Sequence, residues 1–86
     1  MDYTKITSHL LHSERVIDAT DFEFRTWIYL LHYCVEHETG GVLRGAKQWP
    51  REKWLAQTGA EYPRFNDVKG NLYGVEGNDV WVAFYP

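Results

Sequence analysis

Residues 71–86 read NLYGVEGNDVWVAFYP and have the pattern of a β-hairpin. Two apolar runs, from Leu72 to Val75 and from Val80 to Tyr85, flank a Gly-Asn pair between acidic residues. Such a pair between two alternating runs is typical of a two-residue turn. The alternation leaves open which set of side chains faces the core: Val80, Val82 and Phe84, or Trp81, Ala83 and Tyr85.

The strongest helical pattern lies earlier, in TDFEFRTWIYLLHYCVEH at residues 20–37. Thr20 and Glu23 have the spacing of a capping box, so we expect the hydroxyl to accept from the Glu23 amide and the carboxylate to reach back to Thr20. Gly40 and Gly41 end the helix. At helical spacing, one broad apolar arc is predicted to face the core: Phe24, Trp27, Ile28, Leu30, Leu31, Cys34 and Val35.

Two shorter elements follow the glycines. GVLRG at residues 41–45 predicts a short strand near Val42 and Leu43. WPREKWLAQTG at residues 49–59 predicts a helix that Pro50 opens and Gly59 ends. Its predicted buried residues are Trp54 and Leu55, with Trp49 as an anchor before the start.

A further short helix is predicted in PRFNDVKGN, residues 63–71. Phe65, Val68 and Leu72 recur at helical spacing, and Pro63 can open the helix. The element order then predicts an α+β winged helix-turn-helix that is mostly helical. Its small antiparallel sheet would combine the strand near Val42 and Leu43 with the hairpin of residues 72–85.

Length and composition limit the class of protein. A chain of 86 residues forms one domain that buries only about 60% of its unfolded surface. The alternative that residues 1–86 are a fragment of a longer chain stays open. No apolar run approaches the ~20 residues of a membrane span. A lone Cys34 and the lack of a secretory signal predict a cytoplasmic protein.

Three stretches together resemble a known family: SHLLHSERVIDATDFEFRTWIYLLHYCVEHETGGVL, WPREKWLAQTGA and LYGVEGNDVWVAFY. They are similar to the amino-terminal winged-helix domain of phage replisome organisers and DnaD-like primosome proteins, over nearly the whole chain. The resemblance implies binding of duplex DNA in phage-type replication initiation or primosome assembly, self-association, and recruitment of a helicase or helicase loader. It also implies a positioning helix from Trp54 to Gly59 and a recognition helix from Arg64 to Lys69.

Charge is distributed unevenly in a chain whose net charge is −3. The segment from Arg44 to Lys69 contains six basic residues and three acidic ones. This local excess of positive charge favours a phosphate-binding surface. Asn66 is the best candidate to contact a base, with Asn71 and Gln57 as weaker ones. Arg64 could bind guanine or pair with Asp67 at i,i+3 spacing. The candidate phosphate ligands, which DNA binding predicts to converge on one face, are Arg44, Lys47, Arg51, Lys53, Arg64 and Lys69.

The alternative function is contact with another protein. Phe22, Tyr29 and Tyr33 lie away from the apolar arc of the long helix, so another surface must cover them. One cover is a second copy of the chain in a homodimer or a replication partner. The hairpin tip favours this alternative, because it carries acidic residues and no Lys or Arg. The other cover is the amino-terminal segment, through Ile6, Leu10, Leu11 and Val16.

The sequence predicts no enzyme, cofactor or metal site. The histidines at positions 9, 12, 32 and 37 lack the spacing of a metal site, and His32 with Glu36 fits a surface pair at i,i+4. The sequence also has no nucleophile elbow or glycine-rich phosphate loop.

Overall fold

The computed structural model describes residues 13–85. They form a small α+β domain whose arrangement is compatible with a winged helix. In chain order its elements are α1 (Glu14–Asp18), α2 (Asp21–Glu36), β1 (Val42–Leu43), a short 3-10 helix (Ala46–Gln48), α3 (Arg51–Thr58), β2 (Tyr73–Glu76) and β3 (Asp79–Val82).

The sheet is antiparallel and has the order β1-β3-β2. The predicted hairpin is confirmed, with Tyr73 opposite Val82 and Glu76 opposite Asp79. The predicted short strand is also confirmed, and it pairs with β3. Within β3, Val80 and Val82 are buried and therefore face the core. The alternation ends there, because the following Ala83 is buried as well.

Helix α2 supplies the largest part of the core. Thr20 caps it, and the Thr20 hydroxyl accepts from the Glu23 amide at 3.0 Å, as predicted. Trp27, Leu30 and Leu31 lie in the buried part of the predicted arc. The Trp27 indole N–H also donates to the Ala83 carbonyl oxygen at 2.9 Å. This buried hydrogen bond connects α2 to the chain just after β3.

Helix α3 confirms one predicted core residue and contradicts the other. It begins at Arg51, after Pro50 as its N-cap, and Gly59 ends it in a left-handed conformation with φ of 80°. Trp54 is fully buried, but Leu55 is 59% exposed. Neighbouring residues on a helix point about 100° apart, so α3, which covers the core with a narrow face, buries Trp54 and leaves Leu55 in solvent.

The predicted helix over residues 63–71 is wrong. Residues 59–72 form a loop with a turn in which the Asp67 N–H donates to the Arg64 carbonyl oxygen. The end of this loop is hydrogen-bonded to other elements instead. The Gly70 N–H donates to both carboxylate oxygens of Glu23 at 3.0 and 3.1 Å, and the Leu72 N–H donates to one of them at 3.1 Å.

A side chain of α1 donates hydrogen bonds to the carbonyl oxygens at the end of the loop. The Arg15 guanidinium donates to the carbonyl oxygens of Gly70 and Asn71. A Cβ atom on Gly70 would lie 2.0 Å from the Arg15 carbonyl oxygen, so only glycine fits between the two segments. Because a helix of two turns is marginal by itself, these contacts determine the conformation of the loop. The second half of the predicted capping box is also wrong, since the Glu23 carboxylate binds the loop.

Among residues 13–85, no helix combines the length and the hydrophobicity needed to cross a bilayer.

Candidate nucleic-acid interface

Aromatic rings hold the loop of residues 59–72 against α3 and the sheet. The buried Trp54 ring lies 6.3 Å from the rings of Tyr62 and Phe65, measured between centroids. Phe65 in turn lies 6.0 Å from the ring of Tyr73 on β2. These contacts place Tyr62, Arg64 and Phe65 next to the start of α3.

Three cations from different parts of the chain lie over aromatic rings at this surface. The Lys47 ammonium lies 5.0 Å from the Phe65 centroid, and the Arg51 guanidinium lies 5.8 Å from that of Tyr62. The Arg64 guanidinium lies 4.1 Å from the centroid of Phe22 on α2. We call Lys47, Arg51 and Arg64, with the rings of Phe22, Tyr62 and Phe65, the basic-aromatic face.

The cations of the basic-aromatic face are exposed, and their rings are half-buried. A cation over a ring is attracted by the negative charge of the ring face, and the contact restricts a long side chain. Ordering of this kind reduces the entropy that the side chain would lose when it binds phosphate. The geometry therefore presents partly ordered positive charge to solvent.

Two hollows open on the basic-aromatic face. One of about 510 Å³ is bordered by Phe22, Arg51, Leu55, Glu61, Tyr62 and Arg64. An adjoining one of about 390 Å³ is lined by Lys47, residues 62–65, Asn66 and Asp67. The exposed Asn66 amide therefore lies on the same surface as the cations, at a turn rather than on the predicted recognition helix.

The predicted convergence of six cations is met by three of them. Lys53 lies elsewhere, with its ammonium 4.7 Å from the centroid of Trp49. Arg44 lines a separate hollow of about 380 Å³ together with Trp49. Lys69 is exposed near the loop end, beside Gly70.

The structure also locates Asn71, a candidate base contact, and Arg64, which was predicted either to bind guanine or to pair with Asp67. Asn71 is exposed and has a left-handed backbone with φ of 51°, and its carbonyl oxygen accepts from Arg15. The Arg64 guanidinium lies over Phe22, and the helix on which it would pair with Asp67 at i,i+3 does not form.

Of the three predicted protein-contact residues, Phe22 and Tyr29 line one hollow and Tyr33 lies elsewhere. Phe22 is half-buried under Arg64, while Tyr29 is 42% exposed and lines a hollow of about 230 Å³ with Leu55 and Phe22. Tyr33 lies against Trp49, with 6.3 Å between their centroids. The predicted covering residues Ile6, Leu10 and Leu11 lie outside the described residues, and Val16 packs against the core.

Leu55, Tyr62 and Phe65 belong to the site, although none was predicted as a site residue. The signal that could have identified Tyr62 and Phe65 is the interleaving of aromatic and basic residues from Lys47 to Phe65. No sequence signal placed Leu55 at the surface, because its side chain is as apolar as that of a core residue.

One acidic residue of the hairpin tip has a structural role. The Asp79 carboxylate accepts a hydrogen bond from the Gly45 N–H at 2.8 Å, and the Lys47 N–H donates to the Asn78 carbonyl oxygen at 3.0 Å. These two bonds fix the 3-10 helix to the hairpin, so they also fix the backbone that carries Lys47.

Two features that concern ionisable side chains outside this face are explained by the fold. His32 and Glu36 form the predicted surface pair, with 3.0 Å between Nε2 and Oε2. Burial raises the pKa of the Cys34 thiol, against a smaller opposing effect of the Thr39 hydroxyl, and so makes it a weak nucleophile. Within residues 13–85, no three His, Cys, Asp or Glu side chains are grouped closely enough to hold a metal ion.

No family model, curated protein or solved structure matches this chain.

Proposed function

We propose that this chain is a winged-helix DNA-binding domain that acts in phage-type replication initiation or primosome assembly. The observation that supports DNA binding is the basic-aromatic face, where Lys47, Arg51 and Arg64 converge from the 3-10 helix, α3 and the loop. The role in replication, the cytoplasmic location and a helicase or helicase loader as partner rest on the sequence resemblance.

The side chains of this face would divide the work of recognition. The ammonium of Lys47 and the guanidinium groups of Arg51 and Arg64 would bind backbone phosphates, which position DNA without reading its sequence. Asn66, exposed at the turn, would offer its amide to a base edge. Because the whole chain carries a net charge of −3, binding would depend on this local face.

Fluorescence anisotropy of a labelled duplex, titrated at about 50 and about 200 mM salt, tests the proposal. The double variant Arg51→Ala, Arg64→Ala should lose about tenfold or more in affinity, and its salt slope should fall by about 2 because two phosphate contacts are removed. The matched control, Arg44→Ala with Lys53→Ala, removes the same charge beside Trp49 and should keep most of the affinity.

Two results would overturn this proposal. If the folded wild-type protein does not bind the duplex at the lower salt concentration, duplex DNA is not its ligand. If the control loses as much affinity as the test variant, the basic-aromatic face is not the binding surface.

A second candidate function is protein contact, including self-association or binding of a replication partner. Its support is the exposure of two large side chains, Tyr29 at 42% and Leu55 at 59%, in one hollow between α2 and α3. Mass in solution tests self-association, which a Leu55→Glu variant should prevent.

A further inference from the structure

The hollows of this surface join into one groove. The hollow beside Tyr29 shares Phe22, Leu55 and Glu61 with the hollow of about 510 Å³. That hollow shares Tyr62 and Arg64 with the one beside Asn66. An open path, which we call the long groove, therefore leads from α2 across the start of α3 to the turn of the loop.

Aromatic and basic side chains together line the long groove. Its aromatic residues are Tyr29, Phe22, Tyr62 and Phe65. Its basic residues are Arg25, Arg51, Arg64 and Lys47, and its acidic residues are Glu61 and Asp67. The groove thus has a net charge of +2 in a chain whose net charge is −3, so it is the part of this surface that complements a polyanion.

We propose that the long groove binds an unpaired strand of DNA. This inference rests on the proposed function and specifies its ligand. An unpaired strand offers both its phosphates and the flat faces of its bases, and a groove that combines cations with aromatic rings binds both. A duplex hides its base faces within the stack, so the rings of the groove would have no partner there.

The absence of a helix in the loop of residues 59–72 supports the same ligand. Reading of a duplex commonly places a helix in the major groove, which is about 12 Å wide. Here the corresponding segment is a loop whose rings are half-buried and whose turn presents Arg64 and Asn66 at the edge of a concave surface. A concave surface fits a flexible single strand better than a cylindrical duplex.

The cation–aromatic pairs provide stacking positions. The Arg64 guanidinium is held 4.1 Å from the Phe22 centroid, so its other face can receive a base, as arginine planes do in complexes with unpaired strands. Tyr29, which is 42% exposed, offers a ring at the far end of the groove. Leu55 provides an apolar contact between the two positions.

The test compares a labelled single strand of about 12 nucleotides, without self-complementarity, with the duplex of the same sequence, by anisotropy at equal salt. We expect the single strand to bind about tenfold more tightly. Leu55→Glu, which places a negative charge in the groove, should abolish this binding. Ile17→Glu, at a position that is 68% exposed and outside the groove, should preserve it. Circular dichroism of both variants checks that they fold.

Three outcomes would overturn the inference. Equal or tighter binding of the duplex, weakened by Arg51→Ala with Arg64→Ala, would leave the proposed function standing and refute the single-strand preference. Binding of neither DNA would refute both. A concentration-dependent dimer that Leu55→Glu dissociates, with no single-strand binding, would identify the groove as an interface between two copies of the chain.

Discussion

The hydroxyl of Tyr73 is buried without a hydrogen-bond partner among residues 13–85. Tyr73 is 1% exposed, and its oxygen lies close enough to Thr26 and the Arg64 backbone for both to lower its pKa. Burial, followed by the negative charge of Glu23, outweighs both and raises the pKa of Tyr73 to about 12. The phenol is thus held in its neutral form.

This shift predicts a loss of stability in alkaline solution. The pKa of an unfolded tyrosine is about 10, so below that pH Tyr73 is protonated in both the folded and the unfolded chain. Its contribution to the free energy of unfolding is then fully present. As pH rises from about 10 to about 12, only the unfolded chain loses the proton, and stability falls by up to about 1.4 kcal/mol per pH unit. Urea unfolding of the wild type at about pH 9 and about pH 11 should show this loss.

Tyr73→Phe separates this effect from other alkaline titrations. The variant should match the wild type at neutral pH to within about 1 kcal/mol, because the hydroxyl makes no hydrogen bond to residues 13–85 that would be lost. It should lose less stability than the wild type between the two alkaline conditions. An equal loss in both proteins would show that Tyr73 does not titrate in this range.

At the scale of elements, the sequence predicted those segments whose stability is local. The cap at Thr20, Gly59 after α3 and the Gly-Asn turn each act through residues within one turn of each other, and the apolar arc of α2 repeats at the helical spacing. All four are present in the structure. The predicted helix at residues 63–71 does not form, although its apolar residues have helical spacing. Hydrogen bonds with residues that are distant in the sequence hold this segment as a loop instead. Glu23 lies 47 residues before Gly70, so no local pattern could reveal their contact.

In the candidate site, too, the local features could be predicted from the sequence and the long-range contacts could not. Its cations could be identified from the uneven charge of the sequence, but their grouping could not. Lys47 and Arg51 lie beside Phe65 and Tyr62, two rings of the loop that pack on Trp54. Arg64 shares a hollow with each of these cations, whereas Arg44 and Lys53 border Trp49. Which ring each cation would cover depends on the loop conformation, and so on Glu23.

The loop therefore gives a direct prediction for Glu23→Gln. Glutamine has one acceptor oxygen, and its amide N–H₂ would face a backbone donor of Gly70 or Leu72. We expect the free energy of unfolding to fall by about 2–3 kcal/mol, because buried N–H groups lose a charged acceptor. Urea unfolding measures the change. Glu61→Gln, an exposed position in the same loop, should change stability by less than about 0.5 kcal/mol. Equal stability of the two variants would contradict the role assigned to Glu23.

At the scale of the whole molecule, one core connects every layer of the described residues. The residues of α2, α3, the loop and the sheet contribute to a single cluster, to which Trp27, Trp54 and Tyr73 belong. Arg15 and Glu23 bind the two sides of Gly70, so α1 and α2 are tied to the same point of the loop. The surface that carries the cations is thus supported by the same contacts that stabilise the fold.

This shared core predicts a single unfolding transition. Tryptophan fluorescence reports all four tryptophans, of which Trp27 and Trp54 are fully buried, and far-ultraviolet circular dichroism reports the helices. The two should give superimposable urea curves. In Glu23→Gln both curves should shift together to lower urea, because losing the loop contacts would weaken a core that all elements share. A fluorescence change that precedes the loss of helix would instead show that the aromatic cluster opens on its own. The basic-aromatic face would then be formed in only a fraction of the molecules. The apparent DNA affinity would be lower in proportion to that fraction.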